Sequence, residues 1–349
     1  MEKYNNISML RIFATLIIFI FHCLYFTLGI FISEKIFPLY FGVNIFLFLS
    51  AFLYANKPIK NIKHFFAKQY VKLLTPALLI LAIFFLLELV INVDIFHHVE
   101  GYFAITNMWY VPVILVCYSI IPMLNAIMPN KEDKPTSKKF KILSWITIIG
   151  LCVGEFVLDI FLYFQVVIFC FVLSYLLAKK LKGDFSKKGI GLISWGIFLL
   201  LTVIFIIIGF FEGQIPSPEN PIINASFTVG QFIKHYIVAG MGISFSIGFI
   251  ETFKFINKNN KLKPIFQITD RYSYSFYLVQ QILLTGMFAM IHLTPFMYIN
   301  FIIITCSVCV LAFIIESIAE LISNPILSKC NTTQQVKTIS FDDTITKKH

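Results

Sequence analysis

The feature that most constrains this chain is a series of apolar runs, each long enough to cross ~30 Å of hydrocarbon as a helix. They fall at about residues 9–28, 38–55, 73–92, 109–128, 142–158, 160–178, 190–211, 229–250, 272–292 and 297–322. Basic residues sort between them. Lys57 to Lys72, Lys131 to Lys141, Lys179 to Lys188 and Lys254 to Arg271 fill alternate connections, and Lys3, Arg11 and Lys329 to Lys348 flank the ends. Of the 28 basic residues only Lys35 and Lys234 fall on the other side. Positive residues mark cytoplasmic connections, so an even number of spans separates neighbouring basic connections. That parity divides the long run 140–178, where Gly154, Glu155 and Asp159 offer the only turn, into two helices. The expectation is an all-α membrane protein of about ten transmembrane helices in one bundle, with N- and C-termini cytoplasmic. A membrane domain over 1–323 is followed by a polar, mobile cytoplasmic tail over 324–349.

Composition agrees, since 58% hydrophobic residues, 13% charged residues and a mean hydropathy of +0.84 exclude an ordinary soluble domain. The lipid bilayer is the first partner, and a multi-pass protein of the plasma membrane is expected. A net charge of +10 follows from orientation against an anionic inner leaflet, so nucleic acid is not a required partner. The start of the chain lacks a small-residue cleavage site and reads as a retained first span. Six of the seven cysteines lie in apolar stretches and read as small core residues rather than a disulfide framework.

The first run, RIFATLIIFIFH at 11–22, carries an ionisable residue at each end. Eleven residues make three helical turns with ~20° left over, so Arg11 and His22 share a face about 16 Å apart along the axis. Such residues in a span mark a functional site by default. A snorkelling arginine and a histidine hydrogen-bonded to a neighbouring helix is the plainer alternative. Asn44, Glu88, Trp109, Tyr110, Glu155, Asp159, Glu212, Lys234, His235 and His292 share the layer of His22 or lie just outside it. They suit either a wet, sugar-friendly cavity or an interfacial belt. Arg11, Lys68, Lys72 and Arg271 form an inner cationic rim, suited to phosphate or simply to orientation. Arg11 and Arg271 are the only arginines, and a planar fork grips phosphate or carboxylate as ammonium cannot.

Other motifs are weaker. CSVC at 306–309 has ligand spacing but no second pair of ligands, and reads as core packing. His97 and His98 beside Asp94 and Glu100 lack a zinc-protease pattern, so no metal is expected. A phosphate loop and a nucleophile elbow are both missing.

The chain resembles the acyltransferase family 3 membrane proteins, which transfer acyl groups, usually acetyl, to cell-surface carbohydrates. LRIFATLIIFIFH is similar to the family's opening arginine and histidine, carried here by Arg11 and His22. FGVNIFLFLSAFLYA at 41–55 looks like its second span, with Gly42, Phe46 and Ser50 corresponding. FFAKQYVKLLTP at 65–76, MWYVPVILVCYSIIP at 108–122 and RYSYSFYLVQQ at 271–281 are similar to its later landmarks, in the same order. The chain departs from the pattern at Lys68 and Lys72, which replace arginines, at Ala51 in place of glycine, and at Gln280, where histidine is frequent.

The resemblance implies a membrane O-acyltransferase that moves acetyl from cytoplasmic acetyl-coenzyme A to a hydroxyl of an extracytoplasmic or lipid-linked polysaccharide. The implied catalytic residues are His22 and Arg11. Donor binding falls to Arg11, Lys68, Lys72 and Arg271, and acceptor binding to Asn44, Ser50, Glu88, Trp109 and Tyr110. Imidazole, with an unperturbed pKa of ~6.5, can accept the hydroxyl proton and return it to the thiolate. Glu88 or Asp159 is a candidate to orient the ring. With no fused esterase-like domain, the chain either completes the transfer or hands acetyl to a separate extracytoplasmic partner. The competing class is a transporter of polysaccharide or lipid-linked sugar with His22 as a proton relay. A scaffold in polysaccharide assembly is a third reading.

Overall fold

The computed structural model describes residues 5–28, 41–55, 57–59, 61–91, 110–130, 136–162, 166–181, 189–212, 229–254, 256, 261, 263–284, 290 and 293–346. Ten α-helices are found among the described residues. They are α1 (Asn5–Leu28), α2 (Gly42–Ala55), α3 (Ile62–Ile91), α4 (Tyr110–Ile127) and α5 (Lys138–Leu162), then α6 (Val167–Lys180), α7 (Ile190–Glu212), α8 (Val229–Thr252), α9 (Lys263–Leu284) and α10 (Met297–Thr346). The run 140–178 is two helices, α5 and α6, as the charge parity required. Polar side chains start helices where their sequence position allows. Asn61 Oδ1 accepts from the His64 amide at 3.2 Å, and Ser137 Oγ from the Phe140 amide at 3.3 Å, each satisfying an orphan donor of the first turn.

Seven helices are long and apolar enough to cross a membrane: α1, α3, α4, α5, α7, α8 and α10. The other three differ for physical reasons. Helices α2 and α6 have 14 residues each, about 21 Å of rise. Helix α9 carries Asp270, Arg271 and several hydroxyls, so it is too polar to face lipid all round, and its buried face packs on protein.

Helix α2 lies at the centre, touching α1, α4, α6 and α8. Nine of its residues are buried. Its neighbours approach closely only because two positions lack a side chain. A Cβ on Gly42 would lie 2.6 Å from Ile18 Cγ1 of α1, and one on Gly242 of α8 would lie 2.5 Å from Asn44 Cβ. Phe13, Trp195, Phe198, Phe245 and Phe249 interlock α1, α7 and α8, with Phe13 stacked on Phe245 at 5.1 Å and Phe41, directly before α2, against Phe245 at 5.2 Å. Helices α3, α5, α7 and α10 turn most of their apolar surface outward, as lipid-facing helices do.

Ionisable side chains close the two short central helices. Glu155 of α5 is buried and accepts three amides at the start of α6, from Val167 and Ile168 at 2.6 Å and Phe169 at 2.8 Å. Lys179 of α6 donates to the Ala55 carbonyl, the last residue of α2, at 2.8 Å, and to Asn130 Oδ1 at 2.5 Å. Orphan helix ends inside hydrocarbon are costly, and opposite charges complement the two helix dipoles. Glu155 therefore serves as the cap of α6.

Helix α10 runs past Asn324 and through Pro325 to Thr346, so the change of composition there is not a change of secondary structure. Cys23, Cys117 and Cys170 are buried as expected, whereas Cys306 and Cys309 are exposed on α10, which corrects the core-packing reading of CSVC. No metal-ligand cluster is found among the described residues.

Glu155→Ala leaves three amides of α6 without an acceptor and should lower unfolding stability in detergent by about 2 kcal/mol, while Glu155→Gln, which keeps one acceptor oxygen, should lose less. Parent-like melting of the Ala variant would contradict the capping role.

Candidate active site

The guanidinium of Arg11 on α1 forms an ion pair with Asp270 of α9 through Nη1 and Oδ1. The carboxylate is 3% exposed and the arginine 26%, so the acid is sealed while the base keeps an open side. Ser8 Oγ donates to the second carboxylate oxygen at 3.3 Å, and Ser273 Oγ donates to the Asp270 carbonyl at 2.8 Å. Thr15 Oγ1 donates to the Arg11 carbonyl one turn up at 3.0 Å. Two asparagines fix the foot of α1, with Asn5 Nδ2 donating to the Ile256 carbonyl at 3.3 Å and Asn6 Nδ2 to the Ile250 carbonyl at 3.0 Å. Higher up, Phe19 meets Phe276 edge to face at 5.4 Å. Contacts at Arg11–Asp270 and Phe19–Phe276 advance together, so α1 and α9 run the same way.

Helix α9 also gathers the other basic residues. Arg271 pairs with Glu320 of α10, and Ser275 one turn on donates to Glu316 Oε2 at 2.5 Å. Lys72 of α3 lies within electrostatic range of Glu316. Tyr274 Oη donates to the Leu73 carbonyl at 3.0 Å, which docks α3 against α9 beside Lys72. Lys68 sits one turn earlier on α3, exposed. Arg11, Lys72 and Arg271 thus cluster around one half of α9, and each cation has a carboxylate in reach.

Deeper in the bundle aromatic and hydroxyl groups from three helices converge. Phe46 of α2 meets Tyr110 of α4 at 6.4 Å and Tyr277 of α9 at 6.2 Å, and the two tyrosines meet at 5.5 Å. Tyr118 Oη donates to Ser50 Oγ at 3.5 Å, and its ring lies edge to face with Tyr54 at 5.4 Å. All five landmark stretches, on α1, α2, α3, α4 and α9, meet in this region.

His22 lies on α1 partly buried, beyond Arg11 on the same face. Asn44 is buried against Gly242. Lys234 is buried over the Phe205 ring at 5.6 Å. Glu88 and Asp159 stand on α3 and α5, and nothing is described of their side chains. Trp109, His97, His98 and His292 lie outside the described residues. Sequence reasoning missed Asp270, Glu316 and Glu320. The signal for Asp270 was present, since it is an acid directly before one of only two arginines on a helix otherwise rich in hydroxyls.

These features define the class: an all-helical polytopic membrane protein with a sealed arginine–aspartate pair and a tyrosine-rich interior. A family model described as an acyltransferase domain matches residues 4–319 of the 349, and the chain belongs to that family, acyltransferase family 3. It is therefore a membrane acyltransferase, and the transporter reading finds no support. No curated protein and no solved structure matches the chain.

The unequal exposure of the ion pair makes a directional prediction. Arg11→Met strands a sealed carboxylate and should cost about 3–5 kcal/mol of unfolding stability in detergent. Asp270→Asn leaves a cation with an open side and keeps a hydrogen-bond acceptor, so it should cost clearly less. Equal losses would contradict this asymmetry.

Proposed function

We propose that the protein is an O-acetyltransferase of the plasma membrane that takes acetyl from cytoplasmic acetyl-coenzyme A and esterifies a hydroxyl of an extracytoplasmic or lipid-linked polysaccharide. The observation that carries this reading is the arrangement of α1. Arg11 is held by Asp270 at one level, and His22 stands three turns further on the same face, beside the helix that gathers Lys72 and Arg271. On this reading all ten helices cross the membrane, both termini are cytoplasmic, and the basic cluster is at the inner end.

The roles follow from the chemistry of the groups. A guanidinium carries five N–H donors, and its one contact with Asp270 leaves the fork able to take a phosphate or carbonyl oxygen. Lys68, Lys72 and Arg271 add positive charge for the anionic end of the donor. The thioester arm then runs along α1 toward His22. As the acceptor oxygen attacks the thioester carbonyl, His22 takes the hydroxyl proton. The carbon–oxygen bond forms, the carbon–sulfur bond breaks, and the proton passes to the leaving thiolate. Asn44, Ser50, Glu88, Trp109 and Tyr110 are assigned to the acceptor, which arrives from the outer side directly or by way of a separate extracytoplasmic partner. The Phe46, Tyr110 and Tyr277 rings support that assignment, because aromatic faces with hydroxyl rims suit a sugar.

His22→Gln removes the titratable nitrogen without adding charge to the membrane. Acetyl ester on the surface polysaccharide, measured by mass spectrometry, should fall by about 10²- to 10⁴-fold. His64→Gln, at the start of α3, should remain active. Full acetylation by a normally accumulating His22→Gln protein would remove the role given to this histidine.

A further inference from the structure

Gln280 of α9 is completely buried, and neither its Oε1 nor its Nε2 has a hydrogen-bond partner among the described residues. Other buried amides with an unsatisfied atom are engaged at their opposite end. Asn6 donates to Ile250, Asn125 accepts from Tyr175, and Asn130 accepts from Lys179. Gln280 alone among these amides is unsatisfied at both ends. Its chain neighbours Leu278, Val279, Leu283 and Leu284 are buried and apolar, so packing at this position would be served by leucine or methionine. A buried amide left wholly unpaired opposes folding, and such a group in a native protein calls for an occupant.

Its level in the bundle says where that occupant lies. Gln280 stands ten residues, about 15 Å, beyond Asp270 on α9, and His22 stands eleven residues, about 16 Å, beyond Arg11 on α1. The two helices run the same way from their shared ion pair through the Phe19–Phe276 contact. Gln280 and His22 therefore occupy one layer on adjoining helices, and Tyr277 one turn below Gln280 joins the aromatic cluster.

We infer that Gln280 is a substrate-binding residue, its amide taking a ligand group that offers one hydrogen-bond donor beside one acceptor, at the level of His22. The inference rests on the acetyl-transfer reading. Neighbouring hydroxyls of the acceptor sugar and an amide of the donor's pantetheine arm both present that chemistry. Gln280 exchanges no proton and forms no covalent bond. It holds the substrate so that the reacting atoms stay beside the imidazole.

The test is Gln280→Met, which keeps the length and removes both polar ends. Two readouts are taken on the purified full chain. The first is melting without substrate, where the variant should melt at or above the parent temperature because an unpaired amide has been removed. The second is initial transfer rate, with acetyl-coenzyme A varied at fixed acceptor, then acceptor polysaccharide from a strain lacking the gene varied at saturating donor. One KM should rise about tenfold, the equivalent of roughly one net hydrogen bond. A rise in the donor arm assigns the pantetheine amide, and a rise in the acceptor arm assigns the sugar hydroxyls. A lower melting temperature, or both KM values unchanged, overturns the inference. Should the parent itself transfer no acetyl, the functional reading fails separately, and the melting comparison still decides whether the amide has a partner inside the protein.

Discussion

The Asp270 carboxylate is 3% exposed in an apolar interior, where little water reaches it, and a buried charge is tolerated when an opposite charge such as the Arg11 guanidinium is placed against it. That requirement fixes α1 against α9 in one register. Once it is met, Asn5 and Asn6 reach the end of α8, Phe19 meets Phe276, and the polar face of α9 is turned toward α3 and α10 rather than lipid. The pair also sets the height of His22 and Gln280, since both are carried at a constant rise from it. The family's opening arginine thus has an architectural task here that its proposed contact with a donor phosphate does not replace.

A second constraint acts on the centre of the bundle. Helices α2 and α6 are too short to bring both of their ends to water by themselves, so their terminal amides and carbonyls must be satisfied by protein. Glu155 and Lys179 do this with formal charges, an acid at a helix start and a base at a helix end. The close approaches at Gly42 and Gly242 allow α1 and α8 to enclose α2. Rigid packing there leaves hydroxyls and aromatic rings of α4 and α9 as the polar lining beside α1.

Much of the fold was legible because lipid imposes a simple code. Length of apolar run and sorting of lysines were enough to anticipate a helix near each of the ten found among the described residues, including the division of 140–178. The departures arise where burial comes from protein rather than lipid. Helix α9 is amphipathic, and α2 and α6 are short, so hydropathy alone describes them poorly. At Asn324 the composition changes while the helix continues to Thr346, so a change of polarity there does not mark a helix end. For the site, spacing on one helix was readable, as Arg11 and His22 show. Pairing between distant helices was not. Asp270 is 259 residues from Arg11, and the contact of Glu155 with the start of α6 could not be read from its place in α5. The same holds for Gln280, which differs from its apolar neighbours in sequence but whose missing partners are visible only in three dimensions.

The claim that one ion pair sets the register of α1 on α9 is tested most directly by a double-mutant cycle over Arg11→Met and Asp270→Leu, read as unfolding free energy in detergent. Removing both charges leaves no stranded ion, so the account predicts that the double variant is more stable than the sum of the single losses allows, with a coupling of at least ~1 kcal/mol. Additive losses within ~0.5 kcal/mol would mean that the two residues act independently, and would contradict the account.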